Sequence, residues 1–125
     1  MNKKEMTEQR KYLRYRAKEG AIAAIRCADV NVGQIIDISK GGLSFSYVSL
    51  DHDQKGPCEL DVFFRNNGFY LKNIPFKMVS DFDMDNDLLF SSITLRRQSV
   101  RFCKLNSKQH SDLERFIHHH TSGPA

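Results

Sequence analysis

A mainly β fold, an antiparallel barrel with one C-terminal helix, is what this sequence predicts, and three observations predict it. Short runs of alternating apolar and polar residues follow one another along the chain, separated by turn signals at roughly the eight-to-twelve-residue spacing of small barrels. The period changes only at the end, where Leu113, Phe116 and Ile117 recur at i, i+3, i+4 and mark a helix face. A length of 125 residues, 40% hydrophobic and 27% charged, suits a single domain with one core.

The elements follow in order. Residues 1–9 read as a flexible tail, and Arg10 to Lys18 is too densely charged to bury, so it reads as an irregular basic arm ahead of the fold. Lys3, Lys4, Arg10, Lys11, Arg14, Arg16 and Lys18 there face only Glu5 and Glu8, a concentration greater than the net charge of +4 conveys. Such an arm suits an anionic partner: nucleotide phosphate, nucleic acid or a membrane surface. Strands are expected over Ala21–Cys27, from about Val32 to Ser39, and over Gly42–Val48. After the polar loop Asp51–Pro57 comes a half-buried strand in which Cys58, Leu60, Val62 and Phe64 share a face. The Asn67-Gly68 pair then signals a hairpin, followed by short strands at Phe69–Leu71 and Phe76–Asp81 around Pro75.

Asp81, Asp83, Asp85 and Asp87 resemble the start of a calcium loop, but Asn86 stands where glycine is needed and Ser92 where glutamate is needed. An acidic hairpin loop is expected instead; Arg96 and Arg97 on the next strand either reach the ligand site or pair with this loop, and the pairing is the favoured expectation. Asn106 or Ser107 can cap the closing helix, with Ser111-Asp112-Leu113-Glu114 as an alternative capping box. His118, His119 and His120 follow. Consecutive helical positions point about 100° apart, so these three cannot converge on one metal and are expected to be exposed. Residues 121–125 read as a frayed tail, which leaves 10–120 as the domain. Cys27, Cys58 and Cys103 are odd in number and embedded in apolar alternation, which predicts buried, reduced thiols. No apolar run is long enough to span a membrane, and no apolar segment follows the N-terminus, so a cytoplasmic location is expected.

The functional signal is Asp37-Ile38-Ser39-Lys40-Gly41-Gly42. On a strand Asp37 and Ser39 share one face while Ile36 and Ile38 take the other, and the two glycines allow a tight turn and close approach to the backbone. This gathers a carboxylate, a hydroxyl and exposed main chain at one strand end, without a nucleophile.

Arg10-Lys11-Tyr12-Leu13-Arg14 fits RxxxR and the stretch from Asp37 to Gly42 fits [DN]xSxxG. In this order and setting the pair resembles the signature of PilZ domains, bacterial receptors for cyclic di-GMP. The likeness extends through Arg96–Phe102 to the final helix, with one departure at Ser99, where similar sequences carry glycine. The resemblance implies a six-stranded antiparallel barrel with a C-terminal helix, the ligand cyclic di-GMP, and no other cofactor or metal. It also implies that Arg10 and Arg14 clamp the ligand, aided by Arg16, that Asp37 and Ser39 read guanine, and that Gly42 leaves room for the base. Arginine suits both tasks, since its planar fork grips phosphate or the guanine O6 and N7 and stacks on purines. A stand-alone domain of this kind resembles an adaptor relaying messenger level to a protein partner that controls motility, polysaccharide export or biofilm formation, as a monomer or weak dimer.

Other classes fit less well. A small basic barrel could bind single-stranded nucleic acid through Phe45, Tyr47, Phe63 and Phe69, but their alternation with polar residues assigns most of them to the core, so nucleic acid is an unlikely partner. An enzyme is not expected, because no Ser-His-Asp, HExxH, P-loop or GxGxxG pattern is present. A PilZ-like scaffold that has lost its ligand is opposed by the intact motifs.

Overall fold

The computed structural model describes residues 12–27, 30–49, 58–66, 68–84 and 94–125. Its strands are β1 (Tyr15–Ala17), β2 (Ala21–Arg26), β3 (Val30–Ile38), β4 (Gly42–Ser49), β5 (Glu59–Phe64), β6 (Phe69–Ile74), β7 (Phe76–Asp83) and β8 (Thr94–Phe102); helix α1 (Ser107–His120) and strand β9 (Thr121–Pro124) complete it. All pairings are antiparallel, in the order β6-β5-β2-β3-β4-β8-β7, with β1 joined to β3 and β9.

The expected closed six-stranded barrel is thus replaced by an open sheet of nine strands among the described residues. Pro75 supplies part of the reason. It lacks an N–H and divides one long strand into β6, which pairs with β5, and β7, which pairs with β8. The two ends of the pairing order are therefore consecutive in the chain rather than hydrogen-bonded to each other.

The sheet curls around a single core in which Ile25, Ile38, Phe45, Leu60 and Val62 are fully buried. Helix α1 adds Leu113 and Phe116 to it. Asn106 caps the helix: its side chain accepts from the Gln109 backbone N–H at 2.8 Å, and the Gln109 side chain accepts from the Asn106 N–H at 3.0 Å. This reciprocal box satisfies two otherwise orphaned donors and makes the alternative start at Ser111 unnecessary.

Two features set the site's position. The β3–β4 register slips between Ile35 and Asp37. This bulge corrects the simple alternation: Ile35 and Ile38 are both buried, Ile36 only partly, and Asp37 pairs across with Ser44. At Gly33, β3 runs so close to β4 that a Cβ would lie 1.5 Å from the Ser46 carbonyl oxygen. No side chain fits there.

Two terminal segments depart from expectation, while residues 1–9 lie outside the described residues. Tyr15–Ala17 is a strand rather than part of an irregular arm, and 121–124 is its antiparallel partner rather than a frayed tail. Backbone ladders do not need apolar side chains, and this one is extended by Lys18 N–H to His120 O at 2.9 Å and Ala125 N–H to Arg14 O at 3.0 Å. His120 is also buried rather than exposed, stacked on Phe64 with ring centroids 4.0 Å apart and packed edge-on to Phe116. The cysteine expectation fails as well. Cys27 and Cys58 form a disulfide just beyond the Arg26–Glu59 end of the β2–β5 ladder, while Cys103 is a free thiol. Strand pairing brings together two residues that lie 31 apart in sequence.

Candidate ligand-binding site

The site is assembled where β1, laddered to β9, runs beside the end of β3 that leads into the β3–β4 turn. The β1–β9 ladder fixes the backbone at Arg14, whose Nη1 donates to Asp37 Oδ1 at 2.9 Å. The other oxygen, Oδ2, accepts from Arg97 Nη2 on β8 at 3.1 Å, and the same nitrogen donates to Ser44 Oγ at 3.0 Å. Asp37 is thereby held between two arginines that arrive from opposite sides, each side chain about one-third exposed, at 31% and 32%. An ionised carboxylate offers about four lone-pair sites, and these arginines use only two.

Of the two expectations for Arg96 and Arg97, the favoured pairing with the acidic loop holds among the described residues for Arg96, which donates to Asp81 at 2.8 Å and is bonded to Asp83, while Arg97 turns to Asp37. Asp81 also accepts from the Tyr47 hydroxyl at 2.6 Å. Burial first, and then this bond to a carboxylate, push the Tyr47 hydroxyl up to about 12. Strand alternation, which sends Arg96 and Arg97 to opposite faces, was the available signal.

The turn after Asp37 is built from its own polar groups. Ser39 is buried; its hydroxyl accepts from Gly41 N–H at 3.0 Å, and its own N–H donates to Gly42 O at 2.8 Å. Gly42 does not take a positive φ. A Cβ there would lie 2.2 Å from the Val100 carbonyl oxygen, so the absent side chain lets β8 approach and does not make room for a base. At Gly41 the equivalent space is filled by the Tyr12 ring, 2.6 Å from where a Cβ would stand.

Beside this turn lies a groove of about 670 Å³, lined by Tyr12, Arg14, Ser39, Gly41, Gly42, Ser99 and Arg101 among others. That volume suits a ligand of dinucleotide size. Asp37 and Arg97 are not among the residues that line it; Asp37 is joined to the lining through its bond to Arg14. The structure therefore brings together Arg14, Asp37, Ser39 and Gly42. Arg16 is exposed and sits opposite Asp37 in the β1–β3 register, with no side-chain hydrogen bond or ion pair among the described residues. Arg10, Asp85 and Asp87 lie outside the described residues. Among those described, no group of His, Cys, Asp and Glu is arranged to hold a metal, and no helix is long and apolar enough to cross a membrane.

Solved structures share this architecture. The PilZ domain of YcgR from Escherichia coli, solved with c-di-GMP, aligns with a TM-score of 0.66 at 18% identity, covering 88% of this chain and 89% of that one. YcgR from Escherichia coli in complex with c-di-GMP aligns at 0.63 and 19% identity, over 88% of this chain and 45% of that one. MrkH, a c-di-GMP-dependent transcription regulatory factor, aligns at 0.56 and 16% identity, over 86% and 49%. The chain spans about half the length of these last two proteins. No protein-family model and no curated protein matches the sequence. The likeness at these identities is one of fold, and the fold is of the PilZ type.

Proposed function

We propose that this chain is a cyclic di-GMP receptor and not an enzyme, with the ligand held in the groove beside the Asp37–Gly42 turn. One observation carries the reading: Arg14, at the groove wall, is latched to a carboxylate that a second arginine, Arg97, already orients. The ligand carries about two negative charges and presents guanine edges, so it competes for Arg14 with groups that a guanidinium grips bidentately. As Arg14 swings from Asp37 Oδ1 to phosphate or guanine, Asp37 is freed to accept from guanine N1–H and the exocyclic amino group. Arg97 stays on Oδ2 and keeps the carboxylate aligned.

Arg10 is the second clamp in this reading and Arg16 an auxiliary contact to phosphate. Ser39 and Gly42 act mainly by fixing the turn and its closeness to β8. Messenger binding in the cytoplasm would reset the posture of Arg10–Arg14 and so relay messenger level to a protein partner in motility, polysaccharide or biofilm control. Calorimetry with cyclic di-GMP, cyclic di-AMP and GTP tests the proposal and gives stoichiometry. Binding of cyclic di-GMP alone supports it. Equal binding of all three, or preferential salt-sensitive binding of generic oligonucleotides, contradicts it.

A further inference from the structure

The sheet face that carries Asp37 continues past it onto β8 and β7. Residues opposite each other in a ladder share a face, so Asp37, Ser44 and Ser99 form one row across β3, β4 and β8, and Gly42, Arg101 and Lys77 form the next across β4, β8 and β7. The bonds from Arg97 to Asp37 and Ser44 lie on this same face. Gly42 and the two serines keep its floor low. Beyond them, two strands or about 10 Å from β3, stands Arg101.

The charges of this second row are arranged against the rule that holds in the rest of the sheet. Elsewhere facing charges are opposite in sign: Arg16 with Asp37, Arg26 with Glu59, and Asp83 with Arg96. Lys77 faces Arg101, a like-charge pair that costs stability. Both are exposed, and neither side chain makes a hydrogen bond or ion pair among the described residues. Arg101 lines the groove, as does Lys104, and among the described residues that line it there is no carboxylate. Lys40, which also lines it, is already paired with Glu114 at 3.5 Å. An anion seated between Lys77 and Arg101 turns one repulsion into two attractions.

We propose that Arg101 and Lys77, with Lys104 beside them, form a second phosphate subsite of this groove. The inference rests on the reading of the groove as the cyclic di-GMP site, and it gives the ligand's two phosphodiesters separate holders. One is gripped from the Arg14 side. The other is gripped across the low floor by the Arg101 fork, with the lysines as point charges.

Calorimetric titration of cyclic di-GMP into wild type, Arg14→Ala, Arg101→Ala, Arg101→Lys and Lys77→Glu tests this, with a thermal melt of each protein without ligand. Arg101→Ala should bind about tenfold more weakly than wild type, and Arg101→Lys should recover part of that loss, because it keeps the charge without the fork. Lys77→Glu is the sharper variant. Its carboxylate pairs with Arg101 in the free protein, so the melting temperature should rise while affinity falls at least about tenfold. A residue that only supports the fold moves both in the same direction. Wild-type affinity in Arg101→Ala or Lys77→Glu, or a Lys77→Glu that loses stability and affinity together, overturns the second subsite; if Arg14→Ala is still weakened, the reading of the groove stands. Failure of the wild-type protein to bind overturns both.

Discussion

Asp37 and Asp61 are both buried carboxylates bonded to arginine on the sheet, yet their surroundings differ in kind. Asp61 Oδ2 accepts from Arg26 Nε at 2.7 Å and from the Tyr70 hydroxyl at 3.2 Å; Oδ1 accepts from Arg26 Nη2 at 3.2 Å and from the Asn73 backbone N–H at 3.0 Å. All four lone-pair sites are in use. The backbone donor is fixed by the β5–β6 register slip and by Asn73, which alone among the described non-glycine residues has a positive φ, of 56°. Burial raises the Asp61 carboxyl, but these bonds outweigh it and hold the group below its ordinary value. Among the described residues Asp37 has no backbone donor; it uses two separate arginines, one of which lines the groove. A closed shell makes a staple, whereas a half-filled one leaves something for a ligand to complete.

The surrounding strands follow the same division. The Cys27–Cys58 disulfide lies next to Arg26 and Glu59, at the end of the ladder that carries Asp61. The site half of the molecule has no such link among the described residues. Reduction of this bond should therefore have the largest effect on stability, about 2–4 kcal/mol for a loop of this size. Its effect on ligand affinity should be small. Thermal melts with and without reductant, each repeated with cyclic di-GMP, check both statements, and a reduced protein that melts like the oxidised one breaks the assignment of this half as the stapled one.

Next in size, Asp61→Ala leaves the Asn73 N–H without its acceptor and should cost about 1–3 kcal/mol of stability. Binding should survive in the folded fraction. Arg14→Ala is the opposite case: a melting temperature close to wild type but an affinity lower by about 1–3 kcal/mol, or roughly five- to more than a hundredfold. Arg97→Ala should weaken binding less than Arg14→Ala, because it removes the alignment of Asp37 and not a contact to the ligand. If Arg97→Ala binds like wild type, Asp37 needs no second holder and that half of the comparison fails.

The smallest expected effect is on pH dependence. Burial against Phe64 and Phe116, with His119 and Lys18 nearby, lowers the His120 imidazole below its ordinary value of 6.5. Its stabilising contribution is therefore complete above that value. It declines as pH falls below it, because the unfolded chain takes up the proton first. His120→Gln should flatten the acid side of the stability curve, measured by denaturant titration between pH 5 and 7.

Much of this division is legible in the sequence, and what is not has physical causes. Local patterns carried β2 to β8 and the helix, because alternation, turn chemistry and the i, i+3, i+4 face are written in adjacent residues. What escaped depended on partners distant in the chain. Cys27 finds Cys58, Tyr15 finds Pro124, and Arg97 finds Asp37 only once the sheet has curled, and no spacing encodes these encounters. The neighbour that excludes a side chain at Gly42 is the Val100 carbonyl on β8, which is equally distant in the chain. Three consecutive histidines look equivalent in the sequence, whereas helical rotation buries the third against Phe64.

In this proposal the ligand completes the half-filled shell around Asp37 and leaves the closed one around Asp61 alone. Titration of cyclic di-GMP into Asp37→Ala and Asp61→Ala side by side in a calorimeter, at a temperature where circular dichroism shows both folded, separates the two. Asp37→Ala should lose at least about tenfold in affinity, as expected for one lost charge-assisted guanine contact, while Asp61→Ala binds like wild type. Wild-type affinity in folded Asp37→Ala, or an equal loss in both variants, would contradict the account.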